Sequence, residues 1–242
     1  MHHIINLLFK LFIESGATLH KLVLEFSKSL ELKPEIFYIL GKNRLFFSQI
    51  QHLSLDEISN NNIENAIALL RALAKSTKKI STIEFNFFDS YYEPQIFHAF
   101  IYIIKSQEQL RLFSIAVDYS TEFYGIISAL ERQKNSLQEV ILNSCDFSAE
   151  FEVLNKCKNL ETFCIRHCTT KLQKLLDYKV STLEVVDCQI DMQAMILIFK
   201  KTGILLQRLN LNQKMKNFRI KSFCPNITYL SIQGILFSQQ VV

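Results

Sequence analysis

The stretch "NLETFCIRHC" at residues 159–168 recurs in outline along the chain, and that recurrence constrains the fold more than any other feature. Taken alone, Cys164, His167 and Cys168 are crowded in the way that zinc ligands are crowded. Yet "SLQEVILNSC" at 136–145 carries Leu137, Val140, Leu142 and Cys145 in the same order as Leu160, Phe163, Ile165 and Cys168. "VSTLEVVDC" at 180–188 does so again with Val180, Leu183, Val185 and Cys188. All three read apolar-x-x-apolar-x-apolar-x-x-Cys.

The first six positions recur upstream as Leu19/Leu22/Leu24, Ile50/Leu53/Leu55, Ile80/Ile83/Phe85 and Leu110/Phe113/Ile115, and downstream as Leu206/Leu209/Leu211 and Ile227/Leu230/Ile232. First positions at 19, 50, 80, 110, 137, 160, 180, 206 and 227 are 20 to 31 residues apart. This is the leucine-rich-repeat consensus, with its first three units slightly long. The ninth position is degenerate outside the cysteine copies: Ser27, Ile58, Phe88, Asp118, Lys214 and Ile235.

The segments between these strands carry helical signals. Residues 34–47 and 93–106 each have Pro near the start, where a first helical turn tolerates it. Residues 62–76 offer Asn62 as N-cap and one face of Ile63, Ala66, Ile67, Leu70, Leu73 and Ala74. Residues 191–203 end in Lys200, Lys201 and Gly203, the expected stop signals. Strand and helix alternate, no unit can bury its apolar face alone, and stacking buries it. The expectation is an α/β leucine-rich-repeat solenoid (a horseshoe) of about nine units, with a parallel sheet on its concave face. Residues 1–242 are expected to form one such domain, with an N-terminal helix over 1–16 and the repeats over 17–242. In that helix Ile4, Ile5, Leu8, Leu11 and Phe12 share a face.

In this register Cys145, Cys168 and Cys188 point into the core as small apolar groups and can stack as a column. Cys164 alternates outward while Cys168 turns inward, so no metal site is expected; a disulfide framework is disfavoured by the compartment inferred below, and no job is evident for His167. No nucleophile elbow, phosphate loop or His-Glu-x-x-His motif occurs, and the chain reads as non-catalytic and free of cofactors. The longest greasy run, at 96–104, is far too short to span a bilayer. The chain reads as soluble, with free thiols, and as cytoplasmic or nuclear.

Of the 27 basic residues, seven follow residue 191 and all 23 acidic ones precede 192, so a net charge of −3 is followed by one of +7. Such a tail marks either a nucleic-acid or membrane surface or simply a solvated basic end.

Strand alternation puts repeat positions 3, 5 and 7 on the concave face. The early units are acidic there (Glu25, Asp56, Glu84), the middle ones carry Leu112, Ala116 and Ile141, and the late ones Arg166, Arg208 and Tyr229. Apolar groups among polar ones suit a protein-binding surface; the alternative is that they merely cover the sheet. Five acidic residues against three basic ones argue against a phosphate-binding groove.

From about residue 5 onward, with units such as "IFYILGKN" and "SLQEVILNSCDF", the chain resembles the repeat region of fungal F-box/leucine-rich-repeat proteins. In that family an F-box docks on a Skp1-type adaptor and the repeats hold a substrate for ubiquitination. The resemblance implies the substrate-recognition part of an SCF-type ubiquitin ligase, with an unidentified protein as partner. No Leu-Pro-containing F-box core stands ahead of Leu19, so adaptor binding is expected only with an F-box upstream. The alternative is a stand-alone repeat scaffold or inhibitor.

Overall fold

The computed structural model describes residues 7, 8, 10–12, 14–26, 44–58, 60–88, 94–117, 125–145, 150–168, 179–188, 192–212 and 220–233. Alternation of apolar positions 4 and 6 with polar neighbours produces one short strand per repeat. These are β1 (Lys21–Glu25), β2 (His52–Asp56), β3 (Thr82–Phe88), β4 (Leu112–Val117), β5 (Glu139–Asn143), β6 (Thr162–Arg166), β7 (Thr182–Val186), β8 (Arg208–Asn212) and β9 (Tyr229–Gln233). They form one sheet in chain order, and every pairing is parallel. The fold is an α/β leucine-rich-repeat solenoid.

The register predicted from the repeat holds strand by strand. Leu53 pairs with Ile83, Val140 with Phe163 and Leu183 with Leu209, each position 4 beside the next. One shift occurs between β3 and β4, where Phe88 pairs with Val117. Just before each strand, two successive N–H groups share one carbonyl of the preceding coil. Gln51 and His52 donate to His20, Ser81 and Thr82 to Gln51, and the series continues to Thr228 and Tyr229 on Gln207.

The described return segments differ from unit to unit. The two 30-residue units starting at 50 and 80 hold full helices, α2 (Ile63–Ser76) and α3 (Pro94–Ser106). The units starting at 110 and 137 carry only one or two described turns: α4 (Ile126–Ala129) running into a 3-10 turn at Leu130–Gln133, and a 3-10 segment at Glu150–Lys156. α5 (Met192–Thr202) restores an 11-residue helix, and α1 (Arg44–Phe47) and α6 (Ile220–Phe223) are single turns. Helices about 10 Å across cannot stack in line with strands about 4.8 Å apart, so the sheet bends toward its strand side.

Positions 1, 4 and 6 of the seven inner coils are buried, from Ile50, Leu53 and Leu55 through Leu206, Leu209 and Leu211. Phe85 of β3 stacks on Phe100 of α3 at 3.9 Å between ring centres and meets Phe113 of β4 edge-on, so one aromatic cluster joins sheet to helix and coil to coil. Among the described residues β1 and β9 each pair with one strand only, and Leu230 of β9 is 48% exposed.

Three expectations need correction or restriction. Asn62 precedes α2 but makes no side-chain cap bond; its amide reaches the Phe26 carbonyl at 3.5 Å and its oxygen accepts from Asn65. The described residues among 7–14 are helical, but Leu8, Leu11 and Phe12 of the shared face are exposed rather than packed on the core. Ser27, Asp118, Lys214, Ile235 and most of the predicted helix over 34–47 lie outside the described residues.

Candidate protein-binding face

After β2, β5, β6 and β7 the next residue, position 8, turns the chain out of the sheet. Glu57, Ser144, His167 and Asp187 all take left-handed φ there, 51°, 55°, 54° and 48°. Each donates its N–H to the position-7 carbonyl of the following coil: Asn86, Arg166, Val186 and Asn212. The turn then drops position 9 inward. Cys145, Cys168 and Cys188 donate their thiols both to the carbonyl two residues back and to the preceding coil's Ile115, Leu142 and Ile165. A cysteine suits this place because it is small, apolar and still a weak donor. His167 therefore has a role the sequence did not disclose. It is the left-handed corner of its coil, and its Nδ1 lies 3.7 Å from the Asp187 carboxylate on the next.

Left-handed backbone costs a residue with a Cβ about 1–2 kcal/mol, most where the side chain is β-branched. Ser144→Val is expected to lower unfolding free energy by about that amount, while Ser144→Gly does not lower it. Urea titration of both variants checks this; a neutral valine would mean the corner is not left-handed.

All six cysteines are buried free thiols. Hydrogen bonding to Cys145 and burial hold the Cys168 thiol up at about 12, and hydrogen bonding to Cys168 with burial pushes the Cys188 thiol up as well. Burial, reinforced by the Glu184 carboxylate, raises Cys164 to about 12. Thiols held protonated at neutral pH are poor nucleophiles and poor metal ligands. Among the described residues no group of three or more His, Cys, Asp or Glu side chains is placed to hold a metal ion. None of their helices is long and apolar enough to cross a membrane.

The predicted concave positions do fall in three rows across the sheet. The first runs Lys21, His52, Thr82, Leu112, Glu139, Thr162, Thr182, Arg208, Tyr229. Parallel strands place such neighbours about 4.8 Å apart. Within these rows most early charges are already matched. Asp56 accepts from the Asn86 amide at 2.7 Å and the Ser54 hydroxyl at 3.2 Å. The Glu84 carboxylate meets His52 Nε2 at 3.2 Å. Arg166 is bonded through Nε to Glu184 on the next strand. Glu25 remains exposed at the first strand.

Four expected surface groups are instead covered: Ser54, Ser114, Ala116 and Cys164. Ala116 is 7% exposed and Cys164 6%, because larger neighbours close over short side chains even on the outward register. Ala116 is floor, not an anchor. Leu112 and Ile141 are half-buried and form the apolar centre. Arg208 is exposed, and its guanidinium lies 4.9 Å from the centre of the Tyr229 ring.

Glu139 was not singled out by sequence. It is half-buried beside Leu112, and burial together with the nearby Glu84 charge holds its carboxyl above the usual carboxylate range. Its position on the face was legible, but that no described cation pairs with it depends on what the neighbouring strands contribute. Val23, 50% exposed on β1, was likewise placed on the face without being marked.

No protein-family profile matches this chain, and no curated protein matches it. Among solved structures, an internalin from Listeria monocytogenes str. 4b F2365 is similar at a TM-score of 0.49 and 14% sequence identity, over 90% of this chain. The chain spans 56% of that protein's length.

Proposed function

We propose that this chain is a non-catalytic protein-interaction module that holds a protein partner on its concave face, and that it serves as the substrate-recognition part of an SCF-type ubiquitin ligase receptor. The observation that supports an interaction module is the in-register concave face, where half-buried Leu112 and Ile141 sit amid charged and hydroxyl side chains. Such a mixture gives an apolar centre with a polar surround, the usual anatomy of a recognition patch. The ligase assignment rests on the resemblance of the repeat units to fungal F-box/leucine-rich-repeat proteins.

The ligase assignment is tested with a purified Skp1-type adaptor, offered both to this chain and to the product of the full reading frame. Adaptor bound by the full product supports it. Absence of binding to either sinks it and leaves a stand-alone scaffold or inhibitor. The face is tested in cells by crosslinking. Ile141→Asp is expected to abolish the crosslinked partner band at a stability loss of only about 1 kcal/mol, since the side chain is half-buried. Tyr102→Asp, exposed on the helical side, should leave that band unchanged. Equal effects of both substitutions would move the interface away from the sheet.

A further inference from the structure

Besides Lys21 at its first strand, the first concave row holds two opposite charges that meet no opposite charge among the described residues, at a fixed separation. Among the described residues no hydrogen bond or ion pair engages the Glu139 carboxylate, although it is half-buried, whereas Asp56, Glu84 and Glu184 are each satisfied. Arg208 has a ring beside it and, among the described residues, no carboxylate in contact. Glu139, Thr162, Thr182 and Arg208 are successive partners in the strand ladder. Three strand steps separate the two charges by about 14 Å.

We propose that this row receives an extended segment of a partner protein in which a Lys or Arg, seated at Glu139, stands four residues from an Asp or Glu seated at Arg208. The inference rests on the interaction-module reading above and names the chemistry of its partner. Spacing selects the conformation. An extended chain advances about 3.3 Å per residue, so four residues cover about 13 Å. Side chains alternate in such a chain, so residues four apart face the same side and both reach the sheet. A helix advances about 6 Å over four residues and cannot bridge the pair.

Each end carries an apolar complement to its charge. Leu112 is the strand-ladder neighbour of Glu139 and offers a platform for the aliphatic stem of a Lys or Arg. The Tyr229 ring holds the Arg208 guanidinium from one side, leaving its donors for a carboxylate, which it can bind through two parallel hydrogen bonds. Half-buried Thr162 and Thr182 lie between, where the backbone of the segment would pass. Because a segment can run in either direction, the proposal fixes charge and spacing but not chain polarity.

The experiment is selection of a random phage-displayed peptide library on the full chain and on its Arg208→Glu variant, with folding of both verified by circular dichroism. On the wild type the expected enrichment is one basic and one acidic residue four apart. On Arg208→Glu the same spacing should survive with both residues basic. Glu139→Gln should weaken the wild-type peptide about ten-fold or more. Peptides that bind both proteins alike, or that show no such spacing, overturn the proposal. If those peptides still lose binding to Ile141→Asp, the interaction-module reading survives the failure. If no selected peptide responds to any concave substitution, both fall.

Discussion

Gln133→Leu is expected to destabilise the protein by about 2–5 kcal/mol, although it replaces a buried polar side chain by an apolar one of similar size. Gln133 is 1% exposed at the end of the 3-10 turn behind β5. Its Oε1 accepts the N–H of Leu110 at 3.3 Å, and its Nε2 donates to the carbonyls of Gln107 at 2.8 Å and Ile104 at 3.0 Å. The Ile104 carbonyl also accepts from the Gln107 N–H and keeps a partner without the side chain. The Leu110 N–H and the Gln107 carbonyl would be left buried with no other partner among the described residues, and each such group costs about 1–3 kcal/mol.

One coil earlier Gln107 does the same work, accepting from Ile80 N–H at 3.1 Å and donating to the carbonyls of Thr77 and Ile103. The two glutamines form a stitched seam where the return segments re-enter the sheet. In a solenoid each coil is held by its neighbours alone, so cutting one seam uncouples the coils on either side. Urea unfolding of Gln133→Leu should show a lower midpoint and a shallower slope, the latter reporting lost cooperativity. The exposed Gln138→Leu should stay within about 0.5 kcal/mol of the wild type. A Gln133→Leu variant as stable as the wild type would mean the seam carries no energy.

The seam and the concave face differ in how far sequence discloses them. Strand register was legible because a one-residue slip would turn Leu53, Phe113 or Leu183 out of the core and bring in His52, Leu112 or Thr182. The three cysteines were legible for the same reason, as they recur at one repeat position. The left-handed corners were not, since Glu57, Ser144, His167 and Asp187 share no residue type and only their backbones share a conformation. Nor were the two glutamines, because a lone Gln near a helix end looks like a solvated residue until its carbonyl partners are placed around it. Alternation told which side Ala116 and Cys164 face but not how deep they lie. Depth is set by side chains from adjacent strands, such as the Arg166–Glu184 pair beside Cys164.

Gly203→Ala is the other large loss expected, and it should be confined to one end of the solenoid. Gly203 was read as a helix stop. It follows α5, is buried, and donates its N–H to Phe199 at 2.9 Å. A Cβ at this position would collide with the backbone carbonyl oxygens of Phe223, the last residue of α6, and of Phe199. Backbone atoms cannot swing aside as a side-chain end can, so α5 and α6 must separate, at a cost of about 1–3 kcal/mol or more. The damage falls where the last two coils meet, around Leu206, Leu209 and Cys224. Hydrogen exchange should therefore quicken at Thr228 and Tyr229, whose N–H groups are held by Gln207, while β2 to β6 keep their protection. Arg208 and Tyr229 stand on the two strands of that boundary, so the stacked guanidinium and ring would be lost with it. Unchanged exchange at β9 in a folded Gly203→Ala protein would show that the close backbone approach does not hold the last coil in place.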